Sequence, residues 1–336
     1  MAVKCGGQRN SLRRWLLLSA LFFVLLALGA GGWMFWKLEP SHHFEQAKHP
    51  VLVQPSEPPD ESKHQENKAA FNVLILGTDS RNEEFSRTDV IMVARVNPRD
   101  KTVNLLSIPR DLRVHIPDIG YTKINHAHIL GEMRGGNREG TKAALQAVSD
   151  FLGISVNYYV KTDFQGFKNF IDTIGGVDVE LPESVELPDL NTTVPAGRQH
   201  LNGEMALEVV RERYSRPNGE FGRQADQAQV LKAVAQKLLQ PESLPKLPGL
   251  LEQVRQDIVD TNFSDSDLLS LAWLFKGMTG KQVNYMQIPG RGETLFDPLA
   301  GDRLYYWIAD PEAVTSVRQN FHKNNEFPEG TDSMPR

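Results

Sequence analysis

One feature narrows the folding options more than any other: residues Trp15 to Trp36 form an apolar run without a charged side chain. At about 1.5 Å per residue, a helix of roughly 20 residues crosses the hydrocarbon core of a bilayer with every backbone polar group satisfied internally. Lys4, Arg9, Arg13 and Arg14 precede the run. Positive charge beside a first helix holds that side in the cytoplasm. The sequence therefore predicts a cytoplasmic basic N-terminus over residues 1–14, a single transmembrane anchor over 15–36, and everything beyond it outside the cell membrane. Trp33 and Trp36 suit the outer interface, where indoles settle. The rival reading is a cleaved signal peptide, with small residues between Ala27 and Ala30 for the peptidase. The apolar run continues past them through Trp33-Met34-Phe35-Trp36, which favours the anchor.

That placement limits the chemistry. The lone cysteine, Cys5, falls on the cytoplasmic side, so the exported part is expected to hold no intrachain disulfide and no thiolate zinc site. Catalysis there must use carboxylates, histidines, arginines or a borrowed metal. A net charge of -5 over 336 residues argues against nucleic acid, which favours a basic face. Residues 37–70 are rich in Pro, Glu, His, Lys and Gln and lack an apolar period, so they read as a flexible extracytoplasmic linker. Its histidines, His42, His43, His49 and His64, have no structured spacing and read as solvated rather than metal-binding.

Residues 71–323 read as one folded domain and 324–336 as a polar tail. Phe71 to Gly77 is a nearly continuous apolar run, as expected of a buried strand. Val90 to Val96 and Thr102 to Ile108 are two further strands joined by the turn Asn97-Pro98-Arg99-Asp100, hence an antiparallel hairpin. Helices are expected over Ile124–Met133 and Thr141–Leu152, the latter stopped by Gly153. A strand over Val156–Lys161, a helix capped by Asp163 and a strand over Val177–Leu181 follow. The stretch Pro182–Gln199 reads as an irregular excursion. Asn202 caps another helix, a long helix runs from Arg223 to Leu239, and helices near Leu250–Ile258, Asp265–Lys276 and Pro311 flank a strand at Gln282–Gln287. Strands interleaved with helices give a layered α/β domain, and the early hairpin makes its sheet mixed.

This topology gathers charge. If the first and third strands run parallel, one sheet edge receives Asp79 and Arg81, Arg87 and Asp89, and Arg110. A second basic group comprises Arg211, Arg213 and Arg223; Val209-Val210 disfavours a long helix, and in an extended segment Arg211 and Arg213 share a face. Arginine forks pair bidentately with phosphate oxygens, and carboxylates among them suit a magnesium ion bridging those phosphates. The plainer reading is salt bridging that merely holds loops, which fits Arg81, Arg99 and Asp111 best. His126 and His128 read as packing residues rather than general bases. No phosphate-loop lysine, paired-glycine dinucleotide fingerprint or nucleophile elbow is present.

These residues carry a resemblance. Leu76-Gly77-Thr78-Asp79-Ser80-Arg81, Arg87-Thr88-Asp89, Ser107-Ile108-Pro109-Arg110-Asp111 and Lys123-Ile124-Asn125-His126-Ala127 come in order. Asp163-Phe164-Gln165-Gly166-Phe167, Ile174-Gly175-Gly176-Val177-Asp178-Val179, Leu201 to Leu207, Arg211-Glu212-Arg213 and Gly222-Arg223 follow. Over residues 71 to 239 the chain thus resembles the LytR-CpsA-Psr family of bacterial cell-wall enzymes. The resemblance implies a three-layer α/β/α domain with a central mixed β-sheet and a lipid pocket, preceded by one transmembrane helix. It implies a phosphotransferase that moves an anionic glycopolymer from undecaprenyl diphosphate to peptidoglycan. By the same resemblance Asp79 and Asp89 match the metal ligands, for Mg²⁺ or Mn²⁺, and Arg110 is a catalytic candidate. Arg87, Arg110, Arg211, Arg213, Arg223 and Gln227 match the pyrophosphate clamp. The chain departs from the family at Asp226, where an Arg is usual, and at Glu220, where Asp is frequent. The same arginines would also serve a non-catalytic module that binds polyprenyl phosphate or wall polymer, or a pyrophosphatase using water as acceptor.

Overall fold

In the computed structural model the described residues are 29, 32–33, 36–46, 50–56, 70–79, 86–212, 219–238, 260–275, 278 and 282–322. The expected anchor lies almost wholly outside them, as do the expected helix at 250–258 and the tail at 324–336. Among the described residues no helix is long and apolar enough to cross a membrane.

In chain order the elements are α1 (Pro40–Gln46), β1 (Phe71–Thr78), β2 (Thr88–Asn97), β3 (Thr102–Ser107), β4 (Arg113–Ile116), β5 (Gly120–Lys123), α2 (His126–Gly135), α3 (Asn137–Leu152), β6 (Tyr158–Asp163) and α4 (Phe164–Thr173). Then come β7 (Val177–Leu181), β8 (Val185–Leu187), β9 (Thr192–Val194), β10 (Gly197–Leu201), α5 (Gly203–Arg211), α6 (Glu220–Leu238), β11 (Asp260–Thr261), α7 (Asp265–Phe275), β12 (Val283–Gln287), β13 (Gly290–Asp297), β14 (Asp302–Ala309) and α8 (Pro311–His322).

The central sheet has the order β11-β6-β1-β2-β3-β12. β1 is antiparallel to β2 and parallel to β6, while β2 is antiparallel to β3 and β3 parallel to β12. The sheet is therefore mixed, and β1 and β3 run the same way. Both faces of β1 are covered, which is why its sequence is apolar almost throughout. Leu74 and Leu76 share a cluster with Ala127 and Leu130 of α2 and with Leu145, Val148 and Leu152 of α3, whereas Phe71 and Val73 share one with Leu271 and Leu274 of α7 and Leu231 of α6. Helices on two faces of one sheet make the three layers. The close approach of α2 and α3 requires glycine: a Cβ on Gly131 would lie 2.4 Å from the Glu139 carbonyl oxygen, and one on Gly140 would lie 2.8 Å from that of His128.

A satellite core is built by α4, α5, α6 and the hairpins β7–β10 and β8–β9, around Ile171, Val179, Leu201, Val209 and Val234. Helix entries are capped as expected: Asp163 accepts from the Gly166 amide at 2.7 Å, and Asn202 from Met205 at 2.9 Å. The stretch 182–199, expected to be irregular, contains two short strands of that satellite: Val185 pairs with Val194 and Leu187 with Thr192, and Val185, Leu187 and Val194 are too few to show a period in the sequence.

The expected linker over 37–70 needs correction where it is described. Phe44 of α1 is fully buried, with its ring 4.5 Å from that of Phe71, and His43 Nε2 meets Asp267 Oδ1 at 2.8 Å. Val53 bridges to Val156, and the Leu52 amide donates to the Val156 carbonyl at 2.9 Å. These residues pack onto the domain because isolated apolar side chains, too sparse to show a period, each find a groove. Two hairpins, β4–β5 and β13–β14, were not expected from the sequence.

Candidate functional site

β1 and β3 are both antiparallel to β2, which meets the condition set from the sequence and brings three loops to one edge. Asp79 follows the last residue of β1, Asp89 is the second residue of β2 and Arg110 follows β3 by three residues. Asp79 Oδ1 accepts from the Arg87 amide at 3.0 Å, and the Asp79 amide donates to the Arg87 carbonyl at 3.2 Å, so these two residues close the mouth of the β1–β2 connection. Arg110 Nη1 is hydrogen-bonded to Asp89 Oδ1, and each side chain is about one-fifth exposed (21% and 20%). Arg223 is buried in the first turn of α6, and its Nη2 donates to the Asp89 carbonyl at 3.4 Å. Asp89 thus stands between two arginines drawn from distant parts of the chain.

Arg211 reaches the same edge by another route. Its guanidinium lies 4.8 Å from the centre of the Phe164 ring, and Nη1 donates to Glu208 Oε1 at 2.7 Å. Phe164 directly follows β6, whose final residue Asp163 pairs with Thr78 at the end of β1. The extended backbone expected through Arg211 is not found: α5 continues to Arg211, and the chain becomes extended only at Glu212. Val209 and Val210 are buried, so tertiary packing outweighs their weak helix preference. Arg213 and Arg81 lie outside the described residues. Gln227 is buried and donates to the Val210 carbonyl at 3.1 Å, tying α6 to the end of α5. Asp226 is buried in α6, and Glu220 is that helix's first residue.

Asp111 has the structural role anticipated for it. Its carboxylate takes Lys123 Nζ at 2.6 Å and faces Arg110 Nε at 3.7 Å, and its carbonyl accepts the Trp307 amide at 2.8 Å. His126 is likewise held: its Nδ1 is 2.6 Å from Thr122 Oγ1, and that hydroxyl donates to the buried Asp297 at 2.8 Å. A hydroxyl has one proton and the carboxylate takes it, so His126 carries its own proton on Nδ1. Burial first, and then the cations Lys123 and Arg87, push the His126 pKa below the ordinary value, whereas Asp297 pulls it up. Sequence reading missed this network because Asp297 is contributed from β13, 175 residues away.

The donors at the edge fit a hard cation. Asp79 and Asp89 each commit only Oδ1, so among the described residues the second oxygen of each has no hydrogen-bond partner. No group of three or more His, Cys, Asp or Glu is assembled among the described residues. Two carboxylates with coordination completed by phosphate and water is the usual manner of holding Mg²⁺. A polar groove of about 350 Å³ between β7, β10 and α6, lined by Asp178, Glu180, Arg198, Lys232 and Lys237, includes none of these residues. Its lining is unlike that of a lipid pocket.

Comparison with known proteins identifies the family and the fold. A model of the LytR_cpsA_psr family matches residues 41–323. The chain is 31% identical over 307 residues to the polyisoprenyl-teichoic acid–peptidoglycan teichoic acid transferase TagU of Enterococcus faecalis, covering 89% of this chain and 92% of that protein. Among solved structures, B. subtilis TagV superposes with a TM-score of 0.64 at 31% identity, over 75% of this chain and 95% of that one. TagT bound to LIIa-WTA superposes with a TM-score of 0.60 at 26% identity, over 82% and 96% respectively.

Proposed function

The chain belongs to the LytR_cpsA_psr family, and from that premise we propose that it is an extracytoplasmic phosphotransferase moving an anionic glycopolymer, of the teichoic acid or capsular polysaccharide type, from undecaprenyl diphosphate to peptidoglycan. The observation that carries this reading is the convergence of Asp79, Asp89, Arg87, Arg110 and Arg223 at one sheet edge. The name of the Enterococcus faecalis relative supports the donor and acceptor classes. The apolar run Trp15–Trp36 supports a tether in the membrane that holds the donor lipid.

In this reading the acceptor hydroxyl attacks the phosphorus nearest the glycopolymer. A new P–O bond forms, the bond to the bridging oxygen breaks, and the lipid phosphate leaves with that oxygen. The hydroxyl proton passes to a site carboxylate. Negative charge grows on the leaving phosphate, and Arg87, Arg110, Arg211 and Arg223, with Arg213 by the resemblance, are the permanently charged side chains that would stabilise it. Arg110 contributes most directly, since Asp89 and Asp111 hold its guanidinium in one orientation. Asp79 and Asp89 would hold Mg²⁺, or Mn²⁺, which when bound supplies further charge neutralisation at the diphosphate.

The test uses the full chain in detergent, a lipid-diphosphate-linked glycopolymer, peptidoglycan oligomers and Mg²⁺. Transfer product is expected from the wild type and is lost on chelation and in Asp79→Ala and Asp89→Ala. Tight lipid binding with no product, under conditions where TagU ligates, would establish a binding module instead. Release of the polymer to water alone would establish a pyrophosphatase.

A further inference from the structure

A buried polar network lies directly behind the Arg87–Asp89 segment. Ser86 is buried and is gripped at three points. Its amide donates to Glu132 Oε2 at 2.7 Å, its hydroxyl donates to Glu132 Oε1 at 3.1 Å, and its carbonyl lies 3.1 Å from His128 Nδ1. A carbonyl only accepts, so His128 carries its proton on Nδ1 and presents the Nε2 lone pair. Lys161 Nζ stands 3.5 Å from that nitrogen. Lys161 is 1% exposed, and its three protons have three acceptors: His128 Nε2, Thr141 Oγ1 at 2.8 Å, and Asn137 Oδ1.

The elements make this possible by repetition of one helical spacing. His128 and Glu132 are four apart on α2, and Asn137 and Thr141 are four apart on α3, so each pair shares a face. Lys161 projects from β6 opposite Leu76, on the sheet face that α2 and α3 cover. A lysine buried among neutral acceptors is costly, and groups so placed concentrate where position matters. The cost is not repaid by a direct ion pair, because no carboxylate lies within bonding distance of Nζ among the contacts described.

We propose that Glu132, His128 and Lys161 are positioning residues that fix Ser86 and thereby hold Arg87 and Asp89 in register for the diphosphate. Ser86 precedes Arg87, whose backbone is bonded at both amide and carbonyl to Asp79, and Asp89 follows two residues later. Any slack at Ser86 is passed to both sides of the site. A buried network of this kind transmits position well because each member is fully satisfied and has one arrangement. The assignment of a diphosphate ligand rests on the function proposed above; the claim that the network fixes the segment does not.

The experiment compares Glu132→Ala with Glu132→Gln, and His128→Gln with His128→Asn, in the full chain in detergent. Asn places an amide where Nδ1 stands and keeps the bond to the Ser86 carbonyl, whereas Gln does not; Glu132→Gln keeps an acceptor for the Ser86 amide. Amide hydrogen exchange over 86–89 and affinity for inorganic pyrophosphate with Mg²⁺ are read alongside KM and kcat. Glu132→Ala and His128→Gln are expected to exchange at least tenfold faster over that segment and to weaken pyrophosphate binding and raise KM by about the same factor. Both conservative variants should recover most of the loss. If Glu132→Ala fails to fold, the His128 pair decides alone. Wild-type exchange over 86–89 in His128→Gln would overturn the proposal. A wild type that neither transfers nor binds pyrophosphate would overturn the functional reading, while the exchange data still judge the network.

Discussion

Arg110→Ala is the substitution for which the structure fixes the size of the effect best. Arg110 Nη1 bonds Asp89 Oδ1 and Nε faces Asp111 Oδ2 at 3.7 Å, so the guanidinium cannot swing away from the edge between β1 and β3. Removal of one such pre-positioned donor from a site where charge develops costs about 2.7–4 kcal/mol of transition-state stabilisation, or about 10²–10³ in rate. Stability should fall far less. The lost charge-assisted bond is worth about 1.5–3 kcal/mol, which for a domain of this size lowers Tm by several degrees. At 25 °C the variant therefore remains folded, and the rate loss reports the site. The assay is single-turnover transfer from a lipid-diphosphate-linked glycopolymer, with circular dichroism melting of the same sample. Arg110→Lys separates charge from geometry: lysine has one ammonium and cannot engage Asp89 while presenting a planar fork to phosphate, so its rate should stay well below the wild type. Transfer by Arg110→Ala within threefold of wild type would refute the reasoning, and so would a full rescue by lysine refute its geometric half.

Two other predictions concern the scaffold. Burial lowers the pKa of both His126 and His128 from the ordinary 6.5. Between 6.5 and the depressed folded values the unfolded chain binds more protons, so stability rises with pH in that window and is lost as pH falls below 6.5, by at most about 1.4 kcal/mol per pH unit for each histidine. Equilibrium denaturation at pH 5.5 and 7.5 should show the lower value at pH 5.5, and equal values would contradict it. Phe44→Ala should cost about 3–5 kcal/mol, since the ring is fully buried against Phe71 and Tyr158. A chain begun at Phe71 should be destabilised in the same way, which thermal melting of the two variants checks.

Much of this architecture was legible in local sequence. β1, β2 and β3 announce themselves because each is buried on both faces and is mostly apolar, interrupted inside by Asn72, Arg95 and Asn104, and the helix caps at Asp163 and Asn202 announce themselves through short-range hydrogen bonds. The tight turn between β2 and β3 brings Asp89 and Arg110 to one edge, and Asp79 joins them because β1 runs antiparallel to β2, a direction the sequence left as a condition. Arg223 stood out in the sequence as part of a second basic group, but its place beside the first was legible only through the resemblance, because nothing near it in sequence indicates that it will meet Asp89 across 134 residues.

What escaped the sequence has a common physical cause. Lys161, Glu132, His128 and Asp297 are polar residues that every compositional rule assigns to the surface, yet they are buried or nearly so. Each is tolerated inside because its partners come from other elements: Lys161 from α2 and α3, Glu132 and His128 from the β1–β2 connection, Asp297 from β5 and β14. Desolvation alone would expel any one of them. Their burial is therefore a property of the assembled fold, and it is concentrated behind the same edge that carries the arginines. In the proposed function this edge presents several cations to a diphosphate, and apolar packing alone cannot hold it so, since apolar contacts have no direction, whereas hydrogen bonds to Ser86, Asp111 and Thr122 do. The polar interior is what converts an approximate convergence of loops into a site with fixed geometry.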